Sequence, residues 1–282
     1  MDPAAKVFHY GQTVFEGLKA YKTEDSRILL FSPQKNMQRL NRSNERISIP
    51  PINERFALDA LKQLISIDQD WIPSGSGTSL YIRPFVIATQ PTLIASPSSH
   101  FQFIIMSPVG PYYAEGLNPV KIFVESTFVR AVIGGVGEAK TAANFAASLK
   151  AQGDAKQSGY AQDLWLDGVH HKYTEEVGSL NVIFKIKGGR QYASANIPVV
   201  ARVISIEEVF EAGLEGTLEE AFGTGTAAVI SPIGELNLDG QKLVIQNGQT
   251  GELSNKLYQT LTGIQKGALP DLFHWTIEVN MR

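Results

Sequence analysis

No cysteine occurs in the 282 residues, which removes disulfides, thiolate nucleophiles and sulfur-ligated metal sites together. Histidine is scarce at five. His170 and His171 are adjacent, so neither a helix nor a strand directs both at one ion, and the others are scattered; no metal site is expected. No stretch approaches the roughly 18 apolar residues of a membrane span, and the leading MDPAAKVFHYGQ has no apolar signal core. A basic surplus is absent too, with 25 Lys and Arg against 28 Asp and Glu. The segment richest in arginine, NMQRLNRSNERISIP, includes an acid and reads as a helix face, which argues against a nucleic-acid partner. These absences leave a cytoplasmic enzyme or binding protein.

With 43% hydrophobic and 19% charged residues, the chain can bury a sizeable core in two modest domains or one large one. The first hundred residues alternate strand-like and helix-like pieces, beginning with VFHYGQTVFEGLKAYK and then RILLFS after the polar turn TEDS. SPQKNMQRLNRSNERI follows as a helix with Ser32 as N-cap and Pro33 at its first position. In NERFALDALKQLISIDQDWI, Phe56, Leu58, Leu61, Leu64 and Ile65 recur at helical spacing and predict one face packed on a sheet. SLYIRPFVIAT, FQFIIMSPV and VKIFVES read as strands. DLWLDG, YTEEV and LNVIFKIKGG read as a meander with a turn at Asp167 and Gly168. The expected fold class is α+β, with a small domain over 1–107, a linker over 108–119 and a larger domain over 120–282.

One lysine stands in unusual company. GGVGEAKTAANFAASLKAQG, residues 134–153, surrounds Lys140 with glycines and small residues. TAANFAASLKAQG alone reads as an ordinary helix, with Thr141 or Asn144 near its start and Gly153 beyond its end, which leaves Lys140 a solvated loop residue. Small neighbours also let a flat ligand lie against the backbone, and a lysine at the edge of a buried site can act as a nucleophile. An aldehyde cofactor held that way needs an acid for a ring nitrogen, a cation for a phosphate, and donors at a Gly/Thr turn. Glu176 in TEEVGSLN, Arg39 in NMQRLNRS and the turn in FGTGTAAVISP offer one of each. Each alone has a duller explanation: a surface acid, a helix-face ion pair, a turn before a buried strand. GTGTA lacks the Gly-Lys-Ser/Thr ending of a P-loop.

FHYGQTVFEGLKAY, NMQRLNRS, SLYIRPFVIAT, SPVGPYY, GEAKTAANFAASLKAQ, TEEVGSLN and GTGTAAVISP occur in this order over nearly the whole chain. In them the sequence resembles the branched-chain amino acid aminotransferases, pyridoxal-phosphate enzymes of fold type IV. D-amino acid aminotransferases share that fold but are not expected to carry VFEGLKAY or LYIRP. The resemblance implies a small N-terminal α/β domain, a larger cofactor-binding domain with a pseudo-barrel of strands, and transamination of Leu, Ile and Val with 2-oxoglutarate. Lys140 would be the catalytic residue, bonded through its amine to the cofactor and then moving the substrate's α-proton. Glu176 would bond the pyridine nitrogen, and Arg39 and Thr226 the phosphate. The backbone amides of Thr226 and Ala227, with the Tyr81 hydroxyl, would bind the α-carboxylate. Phe15 would form apolar wall, and Leu93 would reach in from the partner of a homodimer. Arg83, with Tyr10 and Tyr112, would meet the second carboxylate of glutamate. Two rivals stay open: another fold type IV transaminase, including one for D-amino acids, and a cofactor-free structural homologue.

The chain departs from the family's pattern in places. Five residues after its lysine the family usually has a tyrosine that bonds the cofactor's phenolic oxygen, whereas this chain has Phe145. The family's phosphate-binding turn has no counterpart between Gly188 and Ile204. The join near Gly189 and Arg190 reads as the omission of that turn and most of a helix, and a leading segment is expected to be missing as well.

Overall fold

The computed structural model describes residues 1–75, 77–94, 99–112, 117–187 and 202–280. The expected join near Gly189 and Arg190, and with it the phosphate turn, lies outside the described residues. The chain forms two units. One comprises 1–111, 136–146 and 260–282, and the other 112–135 and 147–259. The first passage between them, after Pro111, falls within the stretch 108–119.

The first unit contains α1 (Lys6–Tyr10), β1 (Thr13–Phe15), β2 (Leu18–Lys22), β3 (Ile28–Phe31), α2 (Pro33–Arg46), α3 (Glu54–Ile67), β4 (Ser79–Ala88), β5 (His100–Val109) and β13 (Thr276–Glu278). Its sheet runs β1-β4-β2-β3-β13, with β5 on β4. Val14 pairs with Val86 and Leu18 with Ile82, so β1 and β2 continue one register along β4 and are two halves of an interrupted strand. Pro84 of β4 lies at the interruption, where it has no N–H to give a ladder. The α3 residues Leu61 and Ile65 pack with Leu18, Leu30, Leu80 and Ile82. Phe56, expected on that face, is exposed. The buried stripe is Ala57, Leu61 and Ile65, four residues apart, and Phe56 lies one helical step off it. Ser32 does precede α2, with Pro33 at the first position, but it makes no side-chain cap. At φ 46° its hydroxyl is turned instead toward the Trp275 carbonyl, 3.4 Å away.

The second unit contains β6 (Val120–Glu125), β7 (Gln162–Leu166), β8 (Thr174–Val177), β9 (Leu180–Ile186), α5 (Ile206–Leu214), β10 (Leu218–Gly225), β11 (Val229–Leu238) and β12 (Gln241–Val244). Its sheet closes on itself: the order is β10-β9-β8-β7-β6-β11-β12, and β10 also pairs with β11. The strands β6 and β11 are parallel, as are β6 and β7. Inward residues such as Ile122, Leu164, Val177 and Leu236 form one core with Ile206, Val209 and Phe210 of α5, each worth roughly 1.5–3 kcal/mol on burial. Between β7 and β8 the turn is longer than the Asp167-Gly168 pair predicted, because the Asp167 carboxylate gathers the N–H groups of Val169, His170, Lys172 and Tyr173.

Two helices, α4 (Ala142–Gln157) and α6 (Glu252–Gln265), include the points where the chain passes from one unit to the other. The helix α4 runs through Gly153 instead of ending there. An exposed interior glycine costs only about 1 kcal/mol, and Ala151 and Ala155 are buried on either side of it. Gly159, at φ 84°, supplies the left-handed terminator, with the Tyr160 N–H reaching back to the Ala155 carbonyl at 2.9 Å. Among the described residues no helix is long and apolar enough to cross a membrane.

Candidate active site

The interrupted strand of the first unit brings together several of the predicted residues. Between Phe15 and Leu18 the Glu16 N–H still donates to the Pro84 carbonyl at 2.8 Å, while the Glu16 side chain bonds residues of α2. The Glu16 side chain is fully buried. Its Oε1 accepts from Arg39 Nε at 2.5 Å, and its Oε2 from Arg39 Nη2 at 2.8 Å, Asn36 Nδ2 at 2.8 Å and the Gly17 N–H at 3.2 Å. Asn36 and Arg39 are three residues apart on α2 and so share a face. Arg39 still exposes 41% of its side chain, and its bond to Glu16 raises its affinity for its proton further.

Gly17 is a glycine for a steric reason. A Cβ there would lie 2.3 Å from the Tyr81 hydroxyl oxygen. Tyr81 and Arg83 point to the same side of β4, and Arg83 Nη2 donates to the Tyr81 hydroxyl at 2.8 Å. The guanidinium lies 4.4 Å from the Phe15 ring centroid and 5.2 Å from that of Tyr81. Among the described residues the buried Nε of Arg83 meets no acceptor. An arginine stacked on two rings with an open buried donor is arranged to receive an anion.

Lys140 is fastened to the same strand. Its carbonyl accepts the Phe15 N–H at 3.1 Å, its own N–H donates to Ser43 Oγ at 2.9 Å, and Thr141 Oγ1 donates to the Thr13 carbonyl at 2.8 Å. Asn144 Nδ2 gathers the preceding glycine-rich turn by donating to the carbonyls of Ala139 and Val136 at 2.7 and 2.9 Å. The lysine is therefore half-buried and positioned, not a solvated loop residue. Its Nζ lies 5.2 Å from the Phe15 centroid and 5.4 Å from that of Phe145; the two rings are themselves 5.0 Å apart. Tyr10 donates its hydroxyl to the Leu93 carbonyl, and both side chains are exposed.

The remaining predicted residues belong to the second unit. Glu176 on β8 pairs with Arg130 at 3.2 Å, and the Arg130 side chain is only 10% exposed. Thr226 and Ala227 form the short turn from β10 to β11, closed by the pairing of Gly225 with Val229. Tyr112 is exposed. Sequence reasoning had not singled out Glu16, Gly17 or Arg130. In FEGLKAY the acid reads as the solvent-facing member of a strand, and only the register along β4 exposes the interruption.

No protein-family model matches the chain. It is 57% identical over 300 residues to branched-chain-amino-acid aminotransferase 2 of Bacillus subtilis (strain 168), with 99% of this chain and 83% of that protein covered. Among solved structures it resembles the branched-chain amino acid aminotransferase of Escherichia coli, with a TM-score of 0.82, 25% identity, and 99% and 94% of the two chains covered. It also resembles that of Thermobaculum terrenum in its PLP-bound form, with a TM-score of 0.79, 20% identity, and 100% and 94% covered. The two structural likenesses agree with the closed sheet and the two-unit α+β organisation. At such identity over nearly its whole length, the chain belongs to the branched-chain-amino-acid aminotransferases.

Proposed function

We propose that the protein exchanges the amino groups of L-leucine, L-isoleucine and L-valine with 2-oxoglutarate, using pyridoxal phosphate and yielding branched-chain 2-oxo acids and L-glutamate. The observation that carries this reading is the seat of Lys140, a half-buried amine fastened to β1 and flanked by Phe15 and Phe145. The residues present fit the cofactor: a positioned primary amine, a carboxylate paired with an arginine, and an arginine whose outer edge is open to a phosphate. Pyridoxal phosphate, when bound, supplies an aldehyde that condenses with amines and a ring that accepts the electrons released at the α-carbon.

Lys140 would hold the cofactor through its amine, and the same amine, when free, would carry the proton to and from the substrate α-carbon. Glu176, oriented by Arg130, keeps the pyridine nitrogen protonated. Arg39 and the Thr226 hydroxyl hold the phosphate. The amides of Thr226 and Ala227 and the Tyr81 hydroxyl bind the α-carboxylate, while Phe15 gives apolar wall to the branched side chains. Arg83, assisted by Tyr10 and Tyr112, receives the second carboxylate of glutamate, for which its unpartnered Nε is suited. We further propose the cytoplasm as its location.

The working form in this reading is a homodimer to which Leu93 contributes across the interface. In its support, among the described residues β5 pairs only with β4 and leaves Phe101, Phe103 and Ile105 exposed at alternate positions, a patch that a lone soluble chain rarely keeps.

Borohydride reduction of the purified protein tests the reading. Wild type should fix the cofactor at Lys140 and consume L-leucine but not D-leucine. Lys140→Ala should fold, lose transamination and fix nothing. Cofactor fixed elsewhere, or turnover retained in that variant, would overturn the assignment.

A further inference from the structure

The carboxylate of Glu16 poses a problem for the reading just given. A phosphate ester carries close to two negative charges, yet the arginine assigned to it already shares two of its donors with a fully buried carboxylate. The Glu16–Arg39 pair has no net charge, so it offers little long-range attraction to an anion.

What the pair does offer is direction. Oε1 and Oε2 of Glu16 take Nε and Nη2 of Arg39 as a fork, while Asn36 and the Gly17 N–H hold Oε2 from other sides. A carboxylate saturated in this way cannot rotate, and a fork bound along one edge fixes the guanidinium plane. The opposite edge, with Nη1 and the outer proton of Nη2, is left facing outward on a side chain that remains 41% exposed. A strut between strand and helix would be expected to bury both partners. Here only the acid is fully buried, opposite Pro84 in the register that β1 and β2 share along β4.

The geometry points to Glu16 as a positioning residue that turns Arg39 into a directional reader of a phosphate ester. It selects the phosphorylated cofactor over its dephosphorylated form by hydrogen-bond geometry instead of net charge. This rests on the reading of Arg39 as the phosphate ligand. Glu16→Gln puts an amide N–H against an arginine donor and breaks the fork, although it makes the locality more positive. Attraction by charge and aiming by geometry therefore predict opposite signs for the same substitution.

The test is the affinity of cofactor-stripped protein for pyridoxal phosphate and for pyridoxal, followed by absorbance, in wild type, Glu16→Gln, Arg39→Ala and the double variant. Glu16→Gln should weaken pyridoxal phosphate by about tenfold or more and pyridoxal by less than about twofold, the scale of one lost charge-assisted bond. The double variant should be no worse than Arg39→Ala, as two residues acting through one group are not additive. Asn36→Ala, which removes a single donor from Glu16, should show the same selectivity at smaller size and serves if Glu16→Gln does not fold. Equal weakening of both ligands marks a merely structural role and overturns the proposal, as does tighter binding of the phosphate ester by Glu16→Gln. If Arg39→Ala weakens pyridoxal phosphate and pyridoxal equally, it is the reading of Arg39 that falls, and this inference with it.

Discussion

Replacing Gly17 by alanine tests how Tyr81 and Arg83 are held. Gly17 is not in the left-handed region, so alanine meets no backbone penalty there and its effect is purely steric. The new Cβ would stand 2.3 Å from the Tyr81 oxygen, where ordinary contacts begin at 3.4 Å, so the hydroxyl must retreat by about 1 Å. A shift of that size takes it out of range of Arg83 Nη2, now at 2.8 Å, and forfeits a charge-assisted bond worth about 1.5–3 kcal/mol. Overpacking adds a stability loss of about 1–3 kcal/mol. Since the proposed ligand of the Tyr81 hydroxyl is the α-carboxylate, which every amino donor carries, KM should rise by about tenfold to a hundredfold for leucine and glutamate alike. Steady-state kinetics with each donor, beside thermal melts, reads both effects. Adding Tyr81→Phe removes the colliding oxygen and should restore the melting temperature but not KM. A Gly17→Ala protein with wild-type KM for both donors would refute the reasoning.

Arg83→Ala should instead separate the donors: glutamate should lose roughly 2–5 kcal/mol of binding, as when a buried charged pair is broken, and leucine far less. Equal losses in the two half-reactions would reduce Arg83 to a structural role. Asp163 on β7 is fully buried, neither carboxylate oxygen meets a donor among the described residues, and burial, with Glu125 and Asp154 nearby, pushes its pKa up to about 7. An acid whose folded pKa lies above its unfolded one loses stability as pH climbs from the unfolded value, about 4, to the folded value. Asp163→Asn should therefore match wild type near the lower limit and melt higher at pH 8. Parallel melting curves across that window would count against this assignment.

The start of α2 at Pro33 was legible, because proline suits a first helical position whatever surrounds it, although Ser32 makes no cap; the caps at Asn53 and Ser205 had not been singled out. The end of α4 was not: Gly153 and Gly159 look alike as letters, and buried neighbours decide which of them terminates the helix. Lys140 stood out through its small neighbours. The groups that orient the charged residues did not stand out, since Glu16 meets Arg39 and Arg130 meets Glu176 only after strands have registered. Phe56 had the right spacing but the wrong side, a difference of one step around α3 that tertiary packing alone determines.

The order in which this chain is made conflicts with the order in which its parts can finish. The N-terminal sheet is completed by β13, whose Ile277 pairs with Leu30, so nearly the whole chain must leave the ribosome before its last strand docks. The closed sheet waits too, because Ile122 must find Leu236 across a long intervening stretch of chain, a closure that is entropically disfavoured and slow. The first unit cannot be completed until the second has been made, because its residues 260–282 follow all of the second. Exposed strand edges then persist longer than in a protein whose domains are contiguous. A truncation near its C-terminus would first damage the N-terminal sheet.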